Sequence, residues 1–142
     1  MFETSVNAFI DLPSPFVYEY LRKMENQIHY NSSIQSVEKL SEQTYKIKID
    51  LGIMTLNETY TITKEEPQVF FEAECKSNGM NFKDRYQLSS ENGGTQITII
   101  DQMELKGLFQ LSEFLVKMNL KNQMEANLQN LLKCLKEAYK TS

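Results

Sequence analysis

Three acids interrupt rows of apolar side chains. In the stretch TQITIIDQMELKG, residues 95–107, alternate positions are Ile97, Ile99, Asp101, Met103 and Leu105. In a strand those side chains share one face. MNFKDRYQL repeats the pattern with Met80, Phe82, Asp84, Tyr86 and Leu88, and MTLNETYTI with Met54, Leu56, Glu58, Tyr60 and Ile62. Leaving a carboxylate unpaired in a dry core costs several kcal/mol. Each acid therefore lines a cavity polar enough to receive a ligand hydroxyl or amine, or sits solvated at the sheet rim, or is neutralised by Arg22, His29 or a tyrosine hydroxyl. Two close acids can share a proton, which raises one pKa and suits acid–base chemistry. No nucleophile accompanies them in the sequence.

The rows need a sheet to carry them. Phe2, Thr4, Val6, Ala8 and Ile10 alternate with polar residues and predict a first strand, stopped by DLPSP. Ser14 before Pro15 predicts an N-cap with proline at the first helical position. Phe16, Val17, Tyr20, Leu21 and Met24 continue at helical spacing, and HYNSS, with His29 and Tyr30, reads as a polar connector. Six strand signals follow with short turns between them: SIQSVEKL, TYKIKIDL, IMTLNETYTIT, QVFFEAECK, MNFKDRYQLS and TQITIIDQMEL. Such spacing predicts an antiparallel meander. A turn around SENGGT sets Tyr86 near Ile97, which puts Asp84 near Ile99 and one diagonal step, ~7–8 Å, from Asp101.

From Leu108 to Tyr139 there is neither Pro nor Gly. Leu108, Leu111, Leu115 and Met118 form one apolar stripe, and Met124, Leu128, Leu131, Leu132, Leu135 and Tyr139 another, with a change of phase near NLKNQ. The spacing predicts one long helix laid on the concave face of the sheet, with Leu111, Phe114, Leu115, Met118 and Met124 in the core. Met118 and Met124 are also candidates to lid a cavity. Lys121, Lys133, Lys136 and Lys140 read as its solvated face.

The totals bound the function. A chain of 142 residues fits a single domain, 1–142, with 41% hydrophobic and 24% charged residues in the ordinary globular range. A net charge of −4 argues against nucleic acid, which needs a basic face. With two cysteines, one histidine and no CxxC motif, a nitrogen/sulfur metal site is not expected, and Cys75 and Cys134 read as free thiols. No cofactor is implied. The N-terminus lacks a signal-peptide pattern, and no apolar run approaches the ~20 residues of a membrane span, so a cytoplasmic protein without stable membrane insertion is expected.

The order strand, helix, six strands, long helix resembles the helix-grip fold of the START-like or SRPBCC superfamily, which includes polyketide cyclases and lipid-transfer domains. The resemblance rests on IDLPSPFVYEYL, with Ile10, Pro13, Phe16 and Val17, on NGGTQITI, with Gly93, Gly94, Thr95 and Ile97, and on the closing helix from GLFQLSEFL. The aromatic-proline segment of coenzyme-Q-binding relatives is not present in NQIHYNSS. The resemblance implies an α+β fold in which a curved seven-stranded antiparallel sheet wraps the C-terminal helix, with a short helical segment after the first strand. It also implies an apolar cavity between sheet and helix.

The expected function is then binding of a small hydrophobic or amphipathic molecule, lipid, polyketide or isoprenoid-like. Tyr60, Phe71, Phe82, Tyr86, Ile99, Met103, Leu115 and Met118 would give apolar contact, and Glu58, Asp84 and Asp101 polar anchoring. Two alternatives stand beside it. One is a cyclase or dehydratase with Asp84 or Asp101 as base and Tyr60 or Tyr86 as acid. The other is a protein-interaction module. The sequence leaves the oligomeric state, a homodimer included, open.

Overall fold

The computed structural model describes residues 1–50, 55–77 and 79–142, with the side chains of 108, 109 and 112 left aside. Met54 of the Glu58 row and the turn at Gly52 lie outside the described residues. Strand β1 spans Phe2–Ile10, helix α1 Ser14–Arg22 and the single-turn helix α2 Gln27–Tyr30, with a 3-10 turn at Met24–Asn26 between the helices. The strands β2 (Ile34–Lys39), β3 (Thr44–Asp50), β4 (Thr55–Glu66), β5 (Phe70–Lys76), β6 (Met80–Glu91) and β7 (Gly94–Leu105) follow. A 3-10 turn at Gly107–Ser112 leads into helix α3, Glu113–Lys140.

The seven strands form one antiparallel sheet in the order β1-β7-β6-β5-β4-β3-β2. The meander predicted for β2 to β7 is present, and β1 pairs with the last strand, so α1 and α2 carry the chain from one sheet edge to the other. One face of the sheet holds the core: Val6 and Ile10 from β1, Tyr45, Ile47 and Ile49 from β3, Phe71 and Ala73 from β5, and Ile97 from β7. On the opposite face Arg85 stacks over the Phe70 ring and pairs with Glu72 at 2.8 Å.

The β6–β7 hairpin sets the register on which the site depends. Asn92 (φ 50°) and Gly93 (φ 82°) form a two-residue turn, both with the positive φ that a type I′ hairpin requires. Glu91 then faces Gly94, and counting back places Tyr86 opposite Ile99 and Asp84 opposite Asp101. This corrects the expected register by two residues: the tight turn is Asn92-Gly93, at the centre of SENGGT, one position later than the Glu91-Asn92 centre that a Tyr86–Ile97 pairing implies. Gly94 is needed for a second reason. A Cβ there would lie 2.3 Å from the Phe9 ring and 2.8 Å from the Ile10 carbonyl oxygen, because β1 passes so close.

Ser14 is not the helix cap that the sequence suggests. Its hydroxyl instead joins Ser90 at 2.7 Å and Thr95 at 2.9 Å, and Thr95 donates to the Leu12 carbonyl at 2.7 Å. The start of α1 is thereby fastened to the β6–β7 hairpin, and the cap position falls to Pro13.

Helix α3 covers the sheet with only part of its apolar surface. Met124, Leu128, Leu131 and Leu135 are buried, while Val116 and Leu120 pack on a smaller cluster of Phe2, Met80, Met103 and Leu105. Burying each such Leu is worth ~1.5–3 kcal/mol. Leu111, Phe114, Leu115 and Met118 share a different face and are exposed, Leu111 by 87% and Leu115 by 62%. The core placement expected for them is corrected: the ridge 116–120–124–128 faces the sheet, so a stripe offset from it points away.

Candidate functional site

Between the sheet, α2 and the middle of α3 lies a cavity of about 140 Å³. Its sheet floor carries Tyr60, Phe82, Asp84, Tyr86, Ile99, Asp101 and Met103, and α3 closes it with Leu120, Met124 and Leu128. Seven of the eleven expected binding residues therefore meet at one place. The other four do not. Phe71 is 1% exposed and does not line the cavity; it lies beside the floor, its ring stacked on Tyr86 at 4.8 Å. Glu58 shares the sheet face but is partly exposed and does not line the cavity. Leu115 and Met118 sit on the solvent side of α3, and Met124 takes the lid position.

The acids have distinct surroundings. Tyr60 on β4 donates its hydroxyl to Asp84 Oδ2 at 2.6 Å. To do so it reaches across β5, where Cys75 and Ala73 are the residues paired in register with Tyr60 and Asp84 and are small enough to leave the space. Asp101 is 7% exposed, and its Oδ1 is buried without a hydrogen-bond partner among the described residues. Burial pushes the Asp101 carboxyl well above the usual carboxylate range, and the Asp84 charge and a hydrogen bond shared with Asp84 add to the shift. Burial and the neighbouring acid thus favour the protonated form of Asp101, which stands directly opposite Asp84 on the adjacent strand.

Three tyrosines surround the pair. Burial raises the Tyr60, Tyr86 and Tyr30 hydroxyls above the ordinary tyrosine range, with neighbouring charge or hydroxyl groups adding to burial in each. All three stay protonated and act as neutral hydrogen-bonding groups. Tyr86 Oη accepts from Gln27 Nε2 at 3.5 Å. Tyr30 Oη is buried beside the Tyr86 hydroxyl without a well-oriented partner among the described residues. Of the partners considered from sequence, the tyrosine hydroxyl is the one that meets an acid. Arg22 is taken by Glu65 at 2.9 Å and Tyr45 at 2.9 Å, and His29 is exposed.

One wall escaped the sequence reading. Asn31, Gln123 and Asn127 line the cavity where α3 meets the α2–β2 connector. Asn127 donates to Asn31 Oδ1 at 3.1 Å and accepts from the Ser32 backbone N–H at 3.2 Å, and Gln123 donates to Ser33. Asn31 passes the chain on to Gln27 at 3.4 Å and so to Tyr86. Tyr30 belongs to this wall, not to a polar connector, and is 4% exposed. The signal available in sequence was the amide spacing Gln123–Asn127, one helical turn apart. Among the described residues no group of three or more His, Cys, Asp or Glu side chains is placed to hold a metal ion. No described helix is long and apolar enough to cross a membrane.

No protein-family model matches the sequence, and no curated protein is significantly similar to it. Solved structures resemble it throughout. A Thermus thermophilus protein superposes with a TM-score of 0.83 at 15% identity, covering 96% of this chain and 98% of that one. An aromatase/cyclase from Streptomyces superposes at 0.77 with 11% identity, covering 95% and 93%. A START superfamily protein from Mycobacterium smegmatis superposes at 0.70 with 10% identity, covering 98% and 97%. The chain has the START-like helix-grip fold.

Proposed function

We propose that the chain binds a small, largely apolar molecule in the cavity between the sheet and α3, with a polar end of the ligand at Asp84, Asp101 and the tyrosine hydroxyls. The observation that supports this reading is the presence of buried oxygens without a well-oriented partner among the described residues, Asp101 Oδ1 and Tyr30 Oη, in an otherwise mainly apolar wall. An unsatisfied buried polar group costs about 1–3 kcal/mol, which a ligand group bonded to it recovers. A cavity of about 140 Å³ takes one aromatic ring or a short branched chain. A longer lipid or polyketide requires α3 to part from the α2–β2 connector and break the hydrogen bonds of the Gln123 and Asn127 side chains. Native mass spectrometry of protein purified gently from its own host tests the reading. A reproducible adduct released on unfolding is expected. A clean apo mass, together with no thermal shift from a panel of single-ring compounds, would overturn it.

A second reading, a cyclase- or dehydratase-like enzyme using acid–base chemistry, has one specific observation in its favour. Asp101, whose carboxyl burial pushes well above the usual range, stands directly opposite Asp84. In that reading Asp101 gives the proton and Asp84 takes one. Tyr60 and Tyr86, whose hydroxyls are raised by burial, orient the substrate and do not supply protons. Turnover abolished by both D101N and D84N, with ligand binding retained, would favour it over simple carriage.

A further inference from the structure

We propose that the cavity selects ligands bearing a single positive charge, a protonated amine on a compact apolar body, seated against Asp84 and Asp101. This rests on the binding reading above and narrows it to a chemical class.

The charges that face the cavity are of one sign. Asp84 comes from β6 and Asp101 from β7. The other elements packed around them bring neutral groups: Tyr60 from β4, Tyr86 from β6, Tyr30 from α2, Gln123 and Asn127 from α3, and Val6 from β1. No Lys, Arg or His is among the described lining residues. Three cations of the surrounding elements are engaged elsewhere. Arg22 holds Glu65, Arg85 holds Glu72 on the far face of the sheet, and Lys121 donates to the Ser5 carbonyl. The two acids thus share a small cavity with hydroxyl and amide groups around them and no Lys, Arg or His among the described lining residues.

The unmet valences also match an ammonium. Asp101 Oδ1 is an acceptor with no donor, and Tyr30 Oη can accept while it has no well-oriented partner. Asp84 receives the Tyr60 hydroxyl on Oδ2 and retains lone pairs on the carboxylate. An ammonium supplies three donors and a charge, whereas a hydroxyl supplies one donor and no charge. Hydrogen bonds to an ionised partner are roughly twice as strong as neutral ones. An incoming carboxylate would meet like charge. Phe82, Ile99, Met103 and Leu128 give the ring its apolar contact.

Three probes of nearly equal size test the idea: benzylamine, benzyl alcohol and benzoate. Each is titrated into the protein at neutral pH, with affinity from calorimetry and location from the Met103 and Met124 methyl resonances. Benzylamine is expected to bind at least tenfold more tightly than benzyl alcohol, with benzoate weakest and the methyl shifts confined to the cavity. In the D84N/D101N double variant the amine's advantage should vanish while the alcohol still binds. Equal affinity for amine and alcohol in the wild-type protein would overturn the charge selection and leave the binding reading standing. Failure of all three probes to shift the methyls would overturn both. The wild-type comparison needs no variant, so it decides the matter even where the double variant folds poorly.

Discussion

Asp84 and Asp101 stand directly opposite each other on β6 and β7, and of the two it is Asp84 that receives the Tyr60 hydroxyl, at 2.6 Å. The two acids differ in their surroundings. Asp84 has a donor, whereas Asp101 has a buried oxygen with no partner among the described residues, and burial favours its protonated form. An antiparallel ladder brings directly opposed side chains to within ~5 Å of one another, so neither acid can be changed without affecting the other.

Asp101→Asn should flatten the pH dependence of stability. The folded-state pKa of Asp101 is raised, so the native state binds the proton more tightly than the unfolded chain. Its contribution is then present at low pH and lost as pH rises from the unfolded value of about 3.9 toward the folded one, at ~1.4 kcal/mol per unit. Urea denaturation from pH 4 to pH 8 should show the variant gaining on the wild type with rising pH. A wild-type advantage that grows with pH would contradict the assignment of the proton.

Tyr60→Phe removes the one hydroxyl that Asp84 receives from another strand. Hydrogen bonds to charged groups are worth about 1.5–3 kcal/mol, and the phenyl ring keeps the packing on Phe82, so a loss of that size is expected at neutral pH. Chemical denaturation measures it. No loss would mean that Asp84 is solvated independently of the tyrosine.

The glycines of the hairpin should differ in their tolerance. Gly94→Ala drives a methyl into the Phe9 ring and the Ile10 carbonyl, at a cost of about 1–3 kcal/mol. Gly93→Ala has open space around it and pays only for its positive φ, ~1–2 kcal/mol. Thermal unfolding of the two variants ranks them, and a milder effect at Gly94 would mean that β1 moves aside.

Leu131→Ala and Leu115→Ala test which part of α3 holds the fold. Leu131 is fully buried, and its truncation should cost about 2–5 kcal/mol. Leu115 is 62% exposed, and its truncation should fall within ~0.5 kcal/mol of zero. A large loss at Leu115 in the isolated chain would place something against that face.

The two thiols should react in sequence. Cys75 is 1% exposed and burial pushes its thiol up to about 12, whereas Cys134 is partly exposed on α3. An aromatic disulfide reagent should titrate one thiol in the native protein and two after unfolding. Fast reaction of both would show that β5 opens.

The strands were legible because one sheet face is apolar and the other polar, so a period of two runs through Val6, Ile47, Tyr86 and Ile97 alike. That the acids of β6 and β7 share a face with apolar neighbours was legible for the same reason, but whether that face met a cavity or the solvent was not, because periodicity does not report what lies opposite it. Their direct opposition was readable too, had Asn92-Gly93 been taken as the two-residue turn, since register follows from counting outward. The exposed face of α3 was not readable. Leu111, Phe114, Leu115 and Met118 have the spacing of a buried stripe, and periodicity reports that a face is apolar without reporting that anything lies against it. Tyr30 was hidden for a related reason: a single turn of helix has no period to betray its inward side.

The pairing of β1 with β7 sets an order of events during synthesis. The first strand made has its ladder partner in the last strand made, with Phe2 against Met103 and Ile10 against Thr95. Until the ribosome has released β7, β1 has no neighbour to bond, and its row of Phe2, Val6 and Ile10 remains open to the solvent or to any other strand edge nearby. Closing so long a loop is slow compared with forming the local hairpins. While β2 to β6 grow as a meander, β1 therefore stays an unpaired strand, and its open edge is the feature of the growing sheet that another strand could meet.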